Sequence, residues 1–214
     1  MKKNVVVKIP YGNELVEFDT GFAAPDSKPW NEGNDCIDHI LNGGLFKPLL
    51  EDHALPAIRE HWRAQLRAAI STPPDTDELL DSFHTQWHVC HHFLRELVDD
   101  DNLLFDFMRA WLPKYVGPDR VLYRGENIDR FHSGKIGSAW TDKKETADMF
   151  GGGLNAIGQG GMILRANVPA SLIIAGPSKH SAEWLGENEF TVDPRTLTGV
   201  ATVATFPPNP LLQG

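Results

Sequence analysis

The strongest constraint on how this chain can fold is a change of texture at Gly117-Pro118. Before that point apolar residues recur at helical spacing over long stretches. After it they come in short β-branched runs divided by glycine. Ile58, Trp62, Leu66 and Ile70 mark one face of a helix over 56–70, which Thr72-Pro73-Pro74 stops because proline brings no amide hydrogen to the ladder. Leu80, Phe83, Trp87, Cys90, Leu94 and Leu97 form a second stripe behind a cap at Asp75 or Thr76. Leu103, Leu104, Phe107 and Met108 make a third, over about 102–111. Beyond the break, strands are expected at 120–124, 138–141, 162–168, 171–174, 190–192 and 199–206, with one helix at about 143–150. Helices followed by strands imply an α+β fold, a helix-rich front packed on a β-rich back, rather than alternating β-α-β.

The N-terminal stretch adds a hairpin. Residues 4–9 are β-branched and end at the turn-forming Pro10-Tyr11-Gly12-Asn13, with a partner strand over 14–18. Gly21 to Gly33 reads as loop, and a helix opens at Asn34-Asp35, carries Cys36, Ile37, Ile40 and Leu41, and stops at Gly43-Gly44. No stretch has the composition of a linker, so one domain over 1–214 is expected, residues 1–117 mainly helical and 118–214 β-rich.

Charge narrows the partners. Residues 1–120 carry 12 Lys/Arg against 20 Asp/Glu, and residues 121–214 carry 8 against 9, so the net charge of −9 belongs to the front. No basic stripe suits general nucleic-acid binding, whereas the near-neutral back can admit a single anionic ligand. The N-terminus lacks an apolar signal core and no run approaches a membrane span. Cys36 and Cys90 read as small buried hydrophobes in a reducing interior, and a cytoplasmic protein without membrane attachment is expected.

Three segments of the back carry residues suited to chemistry: Val121-Leu122-Tyr123-Arg124-Gly125-Glu126, Gly137-Ser138-Ala139-Trp140-Thr141-Asp142, and Gly186-Glu187-Asn188-Glu189-Phe190. They offer a cation for phosphate, hydroxyls to steady a carboxylate, and a pair of carboxylates. On an extended segment Glu187 and Glu189 would share one face, since side chains at i and i+2 do. Arg124 has a simpler alternative, a surface ion pair with Glu126 or Asp129. His84, His88, His91 and His92 include i, i+4 pairs of the kind that bind zinc, but no His-Glu-x-x-His pattern accompanies them. They are read as a polar flank of the second stripe with some packed imidazoles, and no metal is expected.

In this order the three segments, over roughly residues 120–195, resemble the Arg-Ser-Glu branch of the ADP-ribosyltransferase superfamily, known from bacterial toxins and arginine-modifying ecto-enzymes. The resemblance implies a split β-sheet core and NAD as substrate. Glu189 would hydrogen-bond the ribose 2′-hydroxyl and stabilise the developing cation, and Glu187 would orient or deprotonate the attacking group. Arg124 would hold a phosphate or ribose oxygen, and Gly125 would offer its backbone to the nicotinamide amide. Thr141 would brace Glu189, with Ser138 second, because Ala139 stands where the family often has serine. Trp140 and Phe150 would pack on the nicotinamide ring or lie in the core. Trp184 sits where the family recognises its acceptor and would serve as a platform if exposed. Arg124 and the lack of the tyrosine of the second motif place the chain outside the diphtheria-like branch.

The expected activity is mono-ADP-ribosyl transfer from NAD to a macromolecule, a protein side chain or a nucleobase, by a toxin or phage–host conflict effector acting in the cytosol. A neutralising protein is an expected partner. The alternatives are an NAD glycohydrolase and a catalytically silent binding module on the same fold. The glycines of 151–161 read as a mobile connection, either plain solvated loop or a way in for NAD.

Overall fold

A computed structural model describes residues 4–11, 14–23 and 55–212. The expected loop and helix between 24 and 54, including Cys36, and the side chain of Cys90 lie outside the described residues. The chain forms two compact units: one takes in the described residues up to 23 and those from Tyr115 onward, the other those from 55 to 114. The division falls three residues ahead of Gly117-Pro118.

The helical unit holds α1 (Leu55–Ala69), α2 (Asp77–Val98) and α3 (Asp101–Trp111). Trp62, Leu66, Phe83, Trp87, Leu94, Val98, Phe107 and Trp111 are buried together. The Trp111 ring stands edge-on to Phe83 at 5.1 Å, and its indole N–H donates to the Ala69 carbonyl at 2.7 Å. Thr76 caps α2 by accepting the Leu79 N–H, and Asp99 ends it in the left-handed region at φ 45°. The carbonyls exposed by that ending take guanidinium donors from α1: Arg59 Nε reaches Leu97 O at 2.8 Å and Arg63 Nε reaches Val98 O at 2.7 Å. Of the histidines beside the stripe, His84 and His88 are the packed ones, both buried with ring centroids 4.5 Å apart, while His91 is half-buried and His92 exposed, because α2 is covered over a wider arc than one apolar stripe requires. Among the described residues no group of three or more His, Cys, Asp or Glu is placed to hold a metal ion, and no helix is long and apolar enough to cross a membrane.

In the other unit β1 (Asn4–Tyr11) and β2 (Glu14–Ala23) pair antiparallel. Both run further than expected: Pro10 stays inside β1, which proline tolerates in a two-stranded ribbon whose strands each have an open edge, and Gly21 stays inside β2. The remaining described strands are β3 (Arg120–Asn127), β4 (Ala139–Thr141), β5 (Gly161–Val168), β6 (Ile173–Ala175), β7 (Glu189–Val192) and β8 (Ala201–Phe206). They form an antiparallel sheet in the order β6-β7-β4-β3-β5-β8, and the class is α+β as the pattern of elements predicts. Leu122, Trp140, Leu164, Ala166, Val168, Phe190 and Val192 make the core of one face.

Two features of this sheet position the site. β3 is paired with β5 along its whole length, from Arg120↔Val168 to Asn127↔Gly161, but with β4 only at Tyr123↔Thr141. The sheet is thus two three-stranded halves that part beyond one rung. On the other face α5 (Lys144–Gly152) approaches β3 so closely that a Cβ on Gly125 would strike the Ala147 carbonyl and the Gly151 amide. A short helix the periodicity did not announce, α4 (Ile128–His132), follows β3 and is capped by Asn127, whose Oδ1 accepts the Arg130 N–H at 3.0 Å. Asn127 Nδ2 donates to the carbonyls of Asn155, Ile157 and Gly160. Asp129 takes the Gln159 N–H, and the Asn209 N–H reaches Ala156 O at 2.7 Å. The glycine-rich connection, expected to be mobile, is therefore fastened at several points by residues outside it.

Candidate active site

Arg124 is fixed by its own neighbours on β3. Its Nε donates to Glu126 Oε2 at 2.8 Å, and its Nη1 crosses the parting of the sheet to the Ala139 carbonyl at 2.6 Å. Among the described residues Nη2 makes no hydrogen bond; it lies over Gly137. The ion pair with Glu126 is not the surface contact expected as the alternative for Arg124: Glu126 is 0 % exposed. It also receives the Asn127 N–H at 3.0 Å and the Gly137 N–H at 2.7 Å, with Arg130 Nε at 3.5 Å. Burial alone raises such a carboxyl, but Arg124 and the two amides outweigh it and hold Glu126 below its ordinary value. Gly137 has a steric reason to be glycine, since a Cβ there would overlap the Arg124 guanidinium.

Gly125 serves the packing of α5, and its carbonyl accepts from Asn155 Nδ2 at 2.8 Å. Phe150 lies half-buried against it. Trp140 takes the core alternative: its ring is 1 % exposed and its N–H donates to Gly137 O at 3.0 Å. Ala139, where a serine was sought, contributes through the carbonyl that Arg124 binds.

Thr141 and Glu189 are cross-strand partners, yet the Thr141 hydroxyl is committed elsewhere. It donates to the Glu187 carbonyl at 2.7 Å and accepts the Lys143 N–H at 3.0 Å, so it steadies the backbone of the Glu-x-Glu segment and the entry to α5. Ser138 is buried and its carbonyl accepts the Val192 N–H at 2.8 Å.

The Glu-x-Glu segment is not extended, which corrects the i, i+2 argument. β7 begins only at Glu189, and Asn188 is left-handed at φ 53°, a conformation asparagine tolerates better than most side chains. Asn188 Nδ2 donates to Asp142 Oδ1 at 2.6 Å. The segment is gripped from a neighbouring turn: the Glu187 and Asn188 N–H groups reach the Ser181 carbonyl at 2.9 and 3.3 Å, and the Glu189 N–H reaches Ser181 Oγ at 2.8 Å. Lys143 Nζ holds Gly186 O at 2.8 Å.

Both carboxyls are pushed toward the neutral form. Burial lifts Glu187 to about 7. Glu189 stands well above its ordinary value, first through burial and then through the negative charge of Glu187, while Arg124 pulls the other way. Each of these three residues was singled out in the sequence, and the chain brings Glu189 within electrostatic reach of both Glu187 and Arg124. Trp184, on the π-helical turn His180–Trp184 just before this segment, is 72 % exposed, which meets the condition for a platform. Burial lowers the pKa of His180 on the same turn.

The sequence gives no role to Ser181 or Lys143, nor to Gly137 and Asn188 beyond their place in the motifs, and Glu126 enters it only as a rival partner for Arg124. Glu126 had a signal, its i+2 relation to Arg124 on one strand; Ser181 had none, since its bonds depend on a tertiary turn. No family model, curated protein or solved structure matches the chain.

Proposed function

We propose that the chain is a mono-ADP-ribosyltransferase with an ADP-ribosyltransferase-like split sheet, cleaving NAD and transferring ADP-ribose to a protein side chain or nucleobase. The observation that carries this reading is the convergence of Glu187, Glu189 and the anchored Arg124 at the parting of β3 from β4. Breaking the bond between nicotinamide nitrogen and ribose C1′ sends the electron pair to nicotinamide and leaves positive charge on the ribose, as in glycoside hydrolysis. A buried carboxylate is worth most against such a charge because little water screens it.

The unliganded pair retains a proton that two solvated glutamates would have lost. A cationic nicotinamide ribosyl group beside Glu189 reverses that balance and favours the anion where the transition state needs it. Glu187, titrating near neutrality, then suits proton removal from the nucleophile that adds to C1′. Arg124 would donate to the pyrophosphate, and the exposed Trp184 would offer a ring to the acceptor. In a toxin or phage–host conflict effector working in the cytosol, a neutralising protein would have this site as its natural target.

Incubation with NAD labelled in the adenylate, with Glu189→Gln as control, tests the reading. Label on a macromolecule that disappears in the variant supports transfer. Free ADP-ribose alone identifies a glycohydrolase, and neither product, with a partner still bound, indicates a silent binding module.

A further inference from the structure

The reach of Ser181 extends over three successive backbone amides of one functional segment. It is 0 % exposed, its carbonyl takes the N–H groups of Glu187 and Asn188, and its hydroxyl takes that of Glu189. Its own N–H is held by Ser178 Oγ at 3.0 Å, which ties the grip to the start of the turn bearing Trp184. Neither hydroxyl of the Ser-Ala-Trp-Thr motif does this work: Thr141 binds the Glu187 carbonyl and the Lys143 amide. The left-handed Asn188 makes the grip possible, because reversal of the chain there turns consecutive amides toward one acceptor residue.

We infer that Ser181 is the positioning residue of the Glu187-Asn188-Glu189 segment, fixing the two carboxyls relative to each other through their backbone. The inference rests on the proposal that this pair serves NAD cleavage, but the placement itself is measurable without NAD. Loss of the hydroxyl releases the Glu189 amide and lets the two carboxyls separate. Burial raises both carboxyls; the charges of Glu187 and Arg124 act further on Glu189, while the neighbouring Lys143 and Asp142 are engaged with the Gly186 carbonyl and the Asn188 side chain.

The experiment compares wild type with Ser181→Ala and Ser181→Cys, the latter keeping the volume with a weaker acceptor. Carbon-13 NMR titration of the glutamate carboxyls, without NAD, should show the two elevated transitions of wild type moving back toward the ordinary range in Ser181→Ala and part of the way in Ser181→Cys. With NAD, kcat should fall about ten- to a hundred-fold in Ser181→Ala, the scale expected of a misplaced catalytic group, with KM within about two-fold. If the alanine protein does not fold, the cysteine protein is read by the same criteria. A shifted titration in a protein whose wild type does not cleave NAD sinks the NAD reading and leaves the positioning role standing. A wild-type titration curve in the folded variants overturns the positioning role whatever the turnover, and so does lowered stability with unchanged kcat.

Discussion

Replacing Glu187 by glutamine removes a carboxyl that burial lifts from 4.5 to about 7. In the unfolded chain that group loses its proton near its ordinary value, whereas in the folded protein it keeps it to about neutrality. Between those limits the folded state binds more protons than the unfolded one, so stability falls as pH rises. At ~1.4 kcal/mol per pH unit the interval amounts to about 3 kcal/mol, fully felt above neutrality and absent below the ordinary carboxyl range. Glutamine escapes that cost and also relieves Glu189 of a neighbouring charge, though its amide must find partners in a half-buried site, so a gain of about 2–3 kcal/mol is expected at pH 8.5. For a chain of this size the thermal midpoint should rise by about 5–10 °C. Urea and thermal unfolding of wild type and Glu187→Gln at pH 4.5 and pH 8.5 measure it. The same gain at both values, or a loss at pH 8.5, would refute the argument that burial of this carboxyl is the source of the strain. Turnover should fall in the same variant, the usual exchange between stability and a strained site.

Four further outcomes follow from the geometry. Arg124→Ala strands the buried Glu126 carboxylate and should cost about 3 kcal/mol in urea unfolding at pH 7, much of it recovered in Arg124→Ala/Glu126→Gln; equal losses in both would be incompatible with a buried pair. Since the Glu126 pKa is lowered on folding, its contribution is present above its unfolded value and lost as pH falls through the folded one, so Glu126→Gln alone should flatten the acid limb of the stability curve. Asn127→Ala gives up a helix cap and three carbonyl bonds, worth about 2–4 kcal/mol together, and limited proteolysis should cut within 153–160 sooner than in wild type. Asn188→Gly keeps the left-handed conformation, whereas Asn188→Val opposes it by about 1–2 kcal/mol; thermal unfolding should rank glycine above valine.

The helices of residues 55–111 were legible because each buries a face with 3.6-residue periodicity, and proline or a cap marks its ends. The β-rich strands were legible from β-branched runs between glycines. Asn127, Ser181 and Asn188 were not, for a common reason: each acts through specific hydrogen bonds within or between loops and turns, and periodicity carries no trace of such bonds. Arg124, Glu187 and Glu189 could be singled out as residue types, but the reason the glutamates resist ionisation could not. It lies in burial and, for Glu189, in the neighbouring charge of Glu187; the left-handed bend at Asn188 is what an extended reading of Glu-x-Glu misses. For Trp140 the sequence leaves two readings open, a ligand-facing ring or core, and strand alternation sends it to the core face with Leu122 and Phe190.

The single rung Tyr123↔Thr141 makes electrostatics in this protein a mechanical quantity. The cation rides on one leaf of the sheet and the carboxyls on the other, and the tether from Arg124 Nη1 to Ala139 O sets the gauge between them. A ligand wedged into the parting, or a protein that clamped the leaves together, would change the distance over which Arg124 acts on Glu189 without touching the glutamate itself.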